Sequence, residues 1–289
     1  MHETLRGTGV ALVTPFKKNL EIDFDGFKRL LDYISDNGVN YFVVNGTTGE
    51  SATTNKSEKH QLLDFIRKNN KSNLPVVYGT GGYDTADIVE HVKDLDWTGT
   101  EALLSVSPYY NRPSQAGIIK HYEAIADACP RPVILYNVPK RTGANMKAST
   151  TLELAKHENI IGIKEASPDF GQIIDIMAGK PDDFLVISGD DMNTIPMISL
   201  GCVGVISVLA NALPDKMSEM VKLALSGNFS GASKILFELN EINPHMYSEG
   251  SPVGVKQLLS EMKIIDNYVR LPHVEASDQL KEKIRMYIS

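Results

Sequence analysis

VILYNVPKRTG, residues 133–143, opens as an apolar run and ends on Tyr136, Asn137, a proline, an arginine and a glycine. A run of Val, Ile and Leu without polar alternation is what a strand covered on both faces needs, as in a parallel sheet. NIIGIKEAS, residues 159–167, repeats the form and delivers a charged group, Lys164, at its end. Two apolar strands that each finish on a reactive side chain point to a rim where several strands end together.

Working outward, runs of the same kind occur at 9–14 (GVALVT), 40–44 (NYFVV), 75–79 (PVVYG), 101–106 (EALLSV), 132–136 (PVILY), 160–164 (IIGIK), 184–188 (FLVIS) and 202–207 (CVGVIS). A closed parallel barrel is built from this many strands, each followed by a helix. The intervening segments carry helical periodicity. In DFDGFKRLLDYISDNG, Phe27, Leu30, Leu31 and Ile34 share one face and Asn37-Gly38 supplies a stop. Ser57 is the expected N-cap of TNKSEKHQLLDFIRKN, and Pro196 marks the first turn of MNTIPMISLG. After about Ser226 no strand pattern remains, and FSGASKILFELNEI, SPVGVKQLLSEM and SDQLKEKIRMYI read as helices. The expected class is α/β: a (β/α)8 TIM barrel over residues 1–225 with a C-terminal helical extension over 226–289. A doubly wound open sheet is the rival.

The 289 residues, 42% apolar and 22% charged, are those of a globular chain, and a formal charge of −7 argues against a nucleic-acid partner. MISLGCVGVISVLANALP is interrupted by Ser, Gly and Asn, so it reads as a helix end, a strand and a loop, and no membrane partner is expected. The start, MHETLRGTGV, lacks a basic n-region and an apolar h-region, which makes a cytoplasmic location the default expectation. Cys129 and Cys202 have no disulfide or zinc spacing and the histidines are scattered, so no metal and no cofactor are expected. GTTGES (46–51) and YGTGG (78–82) lack the GK[ST] and GxGxxG orders of nucleotide loops.

The rim is richer. A barrel collects reactive groups from the C-terminal ends of its strands. Lys164, poorly solvated at the end of an apolar strand, is a candidate amine nucleophile; its plain alternative is a strand-end lysine that snorkels or pairs with Glu165. Tyr136 is placed to carry protons for it, or else is a core-edge tyrosine bonded to backbone. Thr47 and Thr48 in GTTGES offer hydroxyls and backbone N–H groups to a carboxylate, or simply cap the next segment. Tyr110 sits in the turn-like SPYYNRP, beside a Tyr109 that reads as interface packing. Arg141 is a carboxylate clamp or a solvated charge.

At these residues the chain resembles the pyruvate-dependent class I aldolase family of (β/α) barrels. The segments ALVTPF, VVNGTTGESATT, SPYYNRPSQAGIIKHY, VILYNVPKRTG, IIGIKEAS, ISGDD and GVISV stand in family order along nearly the whole chain. The resemblance implies that Lys164 forms an imine with pyruvate, that Tyr136 relays protons with Thr47, and that Tyr110 completes the relay from across a tight dimer interface. It implies that Thr48, Gly189 and Ile206 hold pyruvate, and that Arg141 holds the carboxylate of a second substrate, L-aspartate 4-semialdehyde. The product would be 4-hydroxy-tetrahydrodipicolinate, on the way to lysine and diaminopimelate. Members are commonly homotetramers, dimers of dimers. The alternatives are a sugar-acid lyase of the same family and, more distantly, a non-catalytic keto-acid-binding barrel.

One departure concerns an allosteric pocket for lysine. Ser51, Ala52 and Tyr109 fit the pattern of lysine-inhibited members, whereas Lys56, Lys59, Tyr83 and Asp87 stand where those members carry histidines, an asparagine and a glutamate. Two added cations repel an ammonium ligand. Weak or absent feedback is expected, and micromolar inhibition by L-lysine would overturn that expectation.

Overall fold

In a computed structural model of the chain, residues 3–288 are described; positions 1, 2 and 289 of the two expected segments lie outside the described residues. Strands and helices alternate in chain order: β1 (Gly7–Ala11), α1 (Phe24–Ser35), β2 (Tyr41–Val44), α2 (Lys56–Asn69), β3 (Val76–Gly81), α3 (Thr85–Asp94), β4 (Ala102–Val106), α4 (Gln115–Ala128) and β5 (Val133–Asn137). The short α5 (Pro139–Thr142) and α6 (Ala148–Leu154) follow, then β6 (Ile160–Glu165), α7 (Phe170–Gly179), β7 (Leu185–Ser188), α8 (Thr194–Ser199), β8 (Gly204–Ser207) and α9 (Pro214–Leu225). Beyond the barrel lie α10 (Phe229–Tyr247), α11 (Val253–Glu261) and α12 (Asp278–Ile288). Among the described residues no helix is long and apolar enough to cross a membrane.

All eight strands are parallel and pair in sequence order, and β8 returns to β1 from Gly7↔Gly204 to Val10↔Ser207. Closure rules out the open-sheet rival, which would leave two edges. Because successive side chains point to opposite faces, the near-continuous apolar runs serve two layers at once. Tyr41, Val43, Ile134, Leu185 and Ile206 fill the barrel interior. Phe42, Val44, Val133, Leu135 and Val186 meet the surrounding helices. From α1, Phe27, Leu30, Leu31 and Ile34 are all buried against that outer layer. At about 1.5–3 kcal/mol for each large apolar side chain, this burial holds the helix in place.

Three local expectations are corrected. The first strand ends at Ala11 rather than at residue 14, because the amide of Leu12 bonds the Val43 carbonyl while that of Val13 bonds the Asn211 side chain instead of a neighbouring strand. Asn55, not Ser57, caps α2: its side chain accepts from the Glu58 N–H while the Glu58 carboxylate accepts from the Asn55 N–H. Such a reciprocal box satisfies two terminal donors, which Ser57, one residue inside the helix, cannot do. Finally, α10 runs through Pro244 to Tyr247, five residues beyond the segment that its apolar pattern marks.

Both cysteines are free and buried, and burial pushes the Cys129 thiol up to about 11 and the Cys202 thiol up to about 12. Among the described residues no group of three or more His, Cys, Asp or Glu is placed to hold a metal ion.

Candidate active site

The C-terminal rim takes its shape from an irregularity in β6. Val133 pairs with Ile160, but Ile134 pairs with Gly162, so Ile161 is an extra residue. A bulge of this kind reverses the pleat beyond it and re-aims the following side chains. Ile163 therefore joins the helix-facing layer, and Lys164 turns inward opposite Tyr136, itself an interior residue. The Lys164 Nζ lies 4.5 Å from the centre of the Tyr136 ring.

Lys164 is only 5% exposed. Burial disfavours its charged form and pulls the amine down to about 8; Asp191 opposes this by attracting the ammonium, and Arg141 adds to it by repulsion. Tyr136, equally enclosed, is pushed up to about 12, first by burial. Near neutral pH a usable fraction of the lysine is a free amine while the tyrosine keeps its proton. That combination suits attack on a carbonyl followed by proton delivery.

Glu165 does not pair with Lys164. It lies on the opposite side of the pleat, where its carboxylate accepts from Asn137 Nδ2 at 3.0 and 3.1 Å, from Gln172 Nε2 at 3.0 Å and from the Ser167 N–H at 2.7 Å. Asn137 in turn accepts the Met146 N–H at 3.0 Å. These bonds fasten the loops after β5 and β6 to each other and so brace the strand ends that carry Tyr136 and Lys164. Behind β5, the Tyr122 hydroxyl donates to the Ser105 carbonyl at 2.8 Å and stitches α4 to β4.

Thr47 and Thr48 form a single 3-10 turn, Thr47–Gly49, after β2, with Thr48 buried. Thr14 donates its hydroxyl to the Gly49 carbonyl at 2.7 Å and ties the turn to the loop after β1. Gly189 follows β7 and packs so closely that a Cβ there would meet Ala166 Cβ at 2.7 Å, which explains why a glycine stands at this position. Ile206 is a buried interior residue of β8. Arg141 sits exposed on α5, just after β5, and its charge bears on both Lys164 and Tyr136.

Two neighbours of this site escape a reading of motifs. Asp191, in SGDD, is buried, and its Oδ2 accepts from the Val208 and Leu209 N–H groups at 3.3 and 3.0 Å. Burial raises its carboxyl above the usual range. Tyr247, the last residue of α10, is 37% exposed as a whole, yet its phenol is held above the ordinary range, first by desolvation at the hydroxyl and then by the charges of Asp191 and Asp190, with Arg141 opposing. In the sequence the acidic pair stands out only within the ISGDD segment of the family resemblance, and nothing in the helical pattern of α10 singles out Tyr247.

Tyr110 stands apart. It has a left-handed backbone (φ 70°), is 85% exposed, and rests on Tyr83 with ring centres 6.0 Å apart. Tyr83 also meets Tyr109 edge-on at 5.7 Å. Within one chain the structure thus gathers Lys164 and Tyr136 and leaves Tyr110 facing outward. On the nearby face Lys56 pairs with Asp94 at 3.2 Å, and burial lowers the Lys59 ammonium. Ser51 is half-buried, and Ala52 and Asp87 are exposed.

A family model described as the dihydrodipicolinate synthetase family matches residues 4–289. The chain belongs to this family. The synthetase family's members are lyases of the class I aldolase type, and the barrel with its C-terminal helices is their architecture. The 4-hydroxy-tetrahydrodipicolinate synthase of Cytophaga hutchinsonii is 53% identical over 284 residues, covering 98% of this chain and 95% of that protein. The protein of the same name from Flavobacterium psychrophilum is 46% identical over 282 residues, 97% of this chain and 96% of its own. Among solved structures, dihydrodipicolinate synthase from Thermotoga maritima superposes with a TM-score of 0.95 at 36% identity, covering 99% of this chain and 98% of that one.

Proposed function

We propose that the chain is a 4-hydroxy-tetrahydrodipicolinate synthase that condenses pyruvate, held as an imine on Lys164, with L-aspartate 4-semialdehyde. The observation that carries the reading is the inward-facing Lys164, lowered to about 8 and set over the Tyr136 ring, in a chain of this family.

The free amine of Lys164 adds to the ketone carbon of pyruvate, and the carbinolamine loses water to give the imine. Tyr136 supplies the proton that lets hydroxide leave as water and is reprotonated through the Thr47 hydroxyl. Loss of a methyl proton to the Tyr136–Thr47 relay then converts the imine to an enamine, whose carbon attacks the aldehyde of the second substrate, and the same relay returns a proton to the new alkoxide. The substrate's amine finally displaces Lys164 from the imine carbon, closing the ring and regenerating the enzyme. In this reading Thr48, Gly189 and Ile206 hold pyruvate. The exposed Tyr110 supports an assembly in which it completes the relay of a second subunit, as in a homotetramer built from dimers.

Arg141 supports the synthase reading over a sugar-acid lyase, because a guanidinium at the mouth matches a carboxylate bidentately. The deciding experiment couples product formation from pyruvate and L-aspartate 4-semialdehyde to an NADPH-dependent reductase. Turnover is expected, with KM for the aldehyde raised roughly ten- to hundredfold in Arg141→Ala, the size of one lost charge-assisted bond, and KM for pyruvate little changed. Pyruvate trapped on Lys164 by borohydride without any turnover would instead favour the sugar-acid lyases.

The electrostatics make a separate prediction. Since only the neutral amine attacks, the rate of imine formation should rise with pH, about tenfold per unit, and level off near pH 8. Asp191 holds the proton on Lys164, so Asp191→Asn should move this limb to lower pH. Borohydride trapping of pyruvate across pH 6–10 measures both, in steps of roughly half a unit. A limb near the ordinary lysine value, or an upward shift in Asp191→Asn, would contradict the account.

A further inference from the structure

The turn carrying Thr47 and Thr48 ends on Glu50, a residue that motif reasoning leaves without a task. Glu50 has a left-handed backbone (φ 56°, ψ 39°), and its N–H closes the turn on the Thr47 carbonyl at 3.1 Å. Glycine adopts this conformation without a steric penalty, whereas a side chain there is strained. The side chain nevertheless goes fully inward. Its Oε1 meets Lys256 Nζ of α11 at 2.5 Å and its Oε2 accepts the Arg270 N–H at 3.0 Å.

Lys256 is itself completely buried, donates to the Tyr268 carbonyl at 2.8 Å and lies 4.2 Å from the centre of the Phe16 ring. The Arg270 guanidinium covers the same ring at 4.3 Å. It binds Glu58 through both arms, at 2.9 and 2.6 Å, and donates to the carbonyls of Thr53 at 2.9 Å and Leu20 at 2.7 and 3.1 Å. The C-terminal extension therefore grips the segment after β2 at its turn (Glu50), at the following backbone (Thr53) and at the cap of α2 (Glu58). Phe16 and Leu20 join the loop after β1 to the same cluster.

A buried ion pair is a poor source of stability, because desolvation offsets the attraction and apolar residues of similar size do as well. What it supplies is direction. A carboxylate whose two oxygens are assigned to different partners fixes the path of its backbone, and that backbone closes the reactive turn.

We propose that Glu50, Lys256 and Arg270 are positioning residues for the reaction: the C-terminal extension reaches through a buried carboxylate to set where Thr47 and Thr48 stand against pyruvate. The inference rests on the reading that those threonines act on pyruvate. None of the three residues touches substrate.

The test uses the full chain carrying Glu50→Gln, Lys256→Met or Arg270→Lys, with Val221→Ala, a truncated apolar side chain on α9, as a destabilised control. Each protein is measured well below its Tm, and rates are expressed per site trapped by borohydride with pyruvate. Glu50→Gln is expected to form the imine at least about tenfold more slowly, with a raised KM for pyruvate and an unchanged KM for the aldehyde, whereas Val221→Ala loses Tm alone. Arg270→Lys should show a smaller change of the same kind, and it decides the matter if Lys256→Met does not fold. Unaltered rates per trapped site in Glu50→Gln and Arg270→Lys, with only Tm lowered, would reduce the cluster to a structural one. Imine formation needs pyruvate alone, so a wild-type chain that forms the imine but ignores the aldehyde would overturn the assigned acceptor. Slowed imine formation in Glu50→Gln would uphold the positioning role even then.

Discussion

Lys164→Ala should remove synthase turnover, lowering it by roughly four to six orders of magnitude, the scale on which covalent catalysis fails when its nucleophile is deleted. Pyruvate with borohydride should leave no adduct on the variant. The fold should survive, because the lysine is a buried amine whose charged form is disfavoured where it stands and which makes no ion pair with its neighbour Glu165. A Tm equal to or above that of the wild type is therefore expected. An adduct that persists in Lys164→Ala would show another amine to be the nucleophile. Lys256 would be the alternative to examine, since burial also lowers its ammonium to about 8 despite the attraction of Glu50. Its Nζ, however, is already committed to Glu50 and the Tyr268 carbonyl.

Tyr136→Phe comes next in size. The ring would remain as a wall beside Lys164 while the proton carrier disappears, and loss of a positioned general acid or base costs about 10²–10⁴ in rate. Only the hydroxyl is removed and the buried ring stays in place, so stability should change by no more than about 1.5 kcal/mol, the net worth of one hydrogen bond. Stopped-flow measurement of imine formation separates this from a binding defect: the step should slow while KM for the aldehyde stays put. A variant that forms the imine at the wild-type rate would move the proton transfer to another group.

Much of this was legible in the chain, and the reasons differ from residue to residue. The strands announced themselves because both sides of a parallel barrel are covered, so Val, Ile and Leu run without interruption. Tyr136 and Lys164 stood out as polar groups finishing such runs, and the closed order of strands puts them side by side. Their facing could not be read from alternation, since simple alternation from Ile161 would send Lys164 outward; the extra residue in β6 corrects it, and Gly162 inside IIGIK is the mark that such a bulge leaves. Asp191 was hidden for a different reason. Its effect on Lys164 depends on burial and on its two bonds to the N–H groups of Val208 and Leu209, brought close by the next strand. Glu50 and Lys256 are 206 positions apart, beyond the reach of local pattern, and each alone resembles an ordinary surface charge.

The two enclosed thiols have a practical consequence. With Cys129 near 11 and Cys202 near 12, roughly one molecule in ten thousand or fewer presents a thiolate at pH 7, and neither sulfur lies open to a reagent. The wild-type chain is thus a silent background for maleimide chemistry. A single cysteine introduced at Ala52, exposed and just past the Thr47–Gly49 turn, would take a fluorophore alone. Its emission would follow the turn in real time as pyruvate arrives.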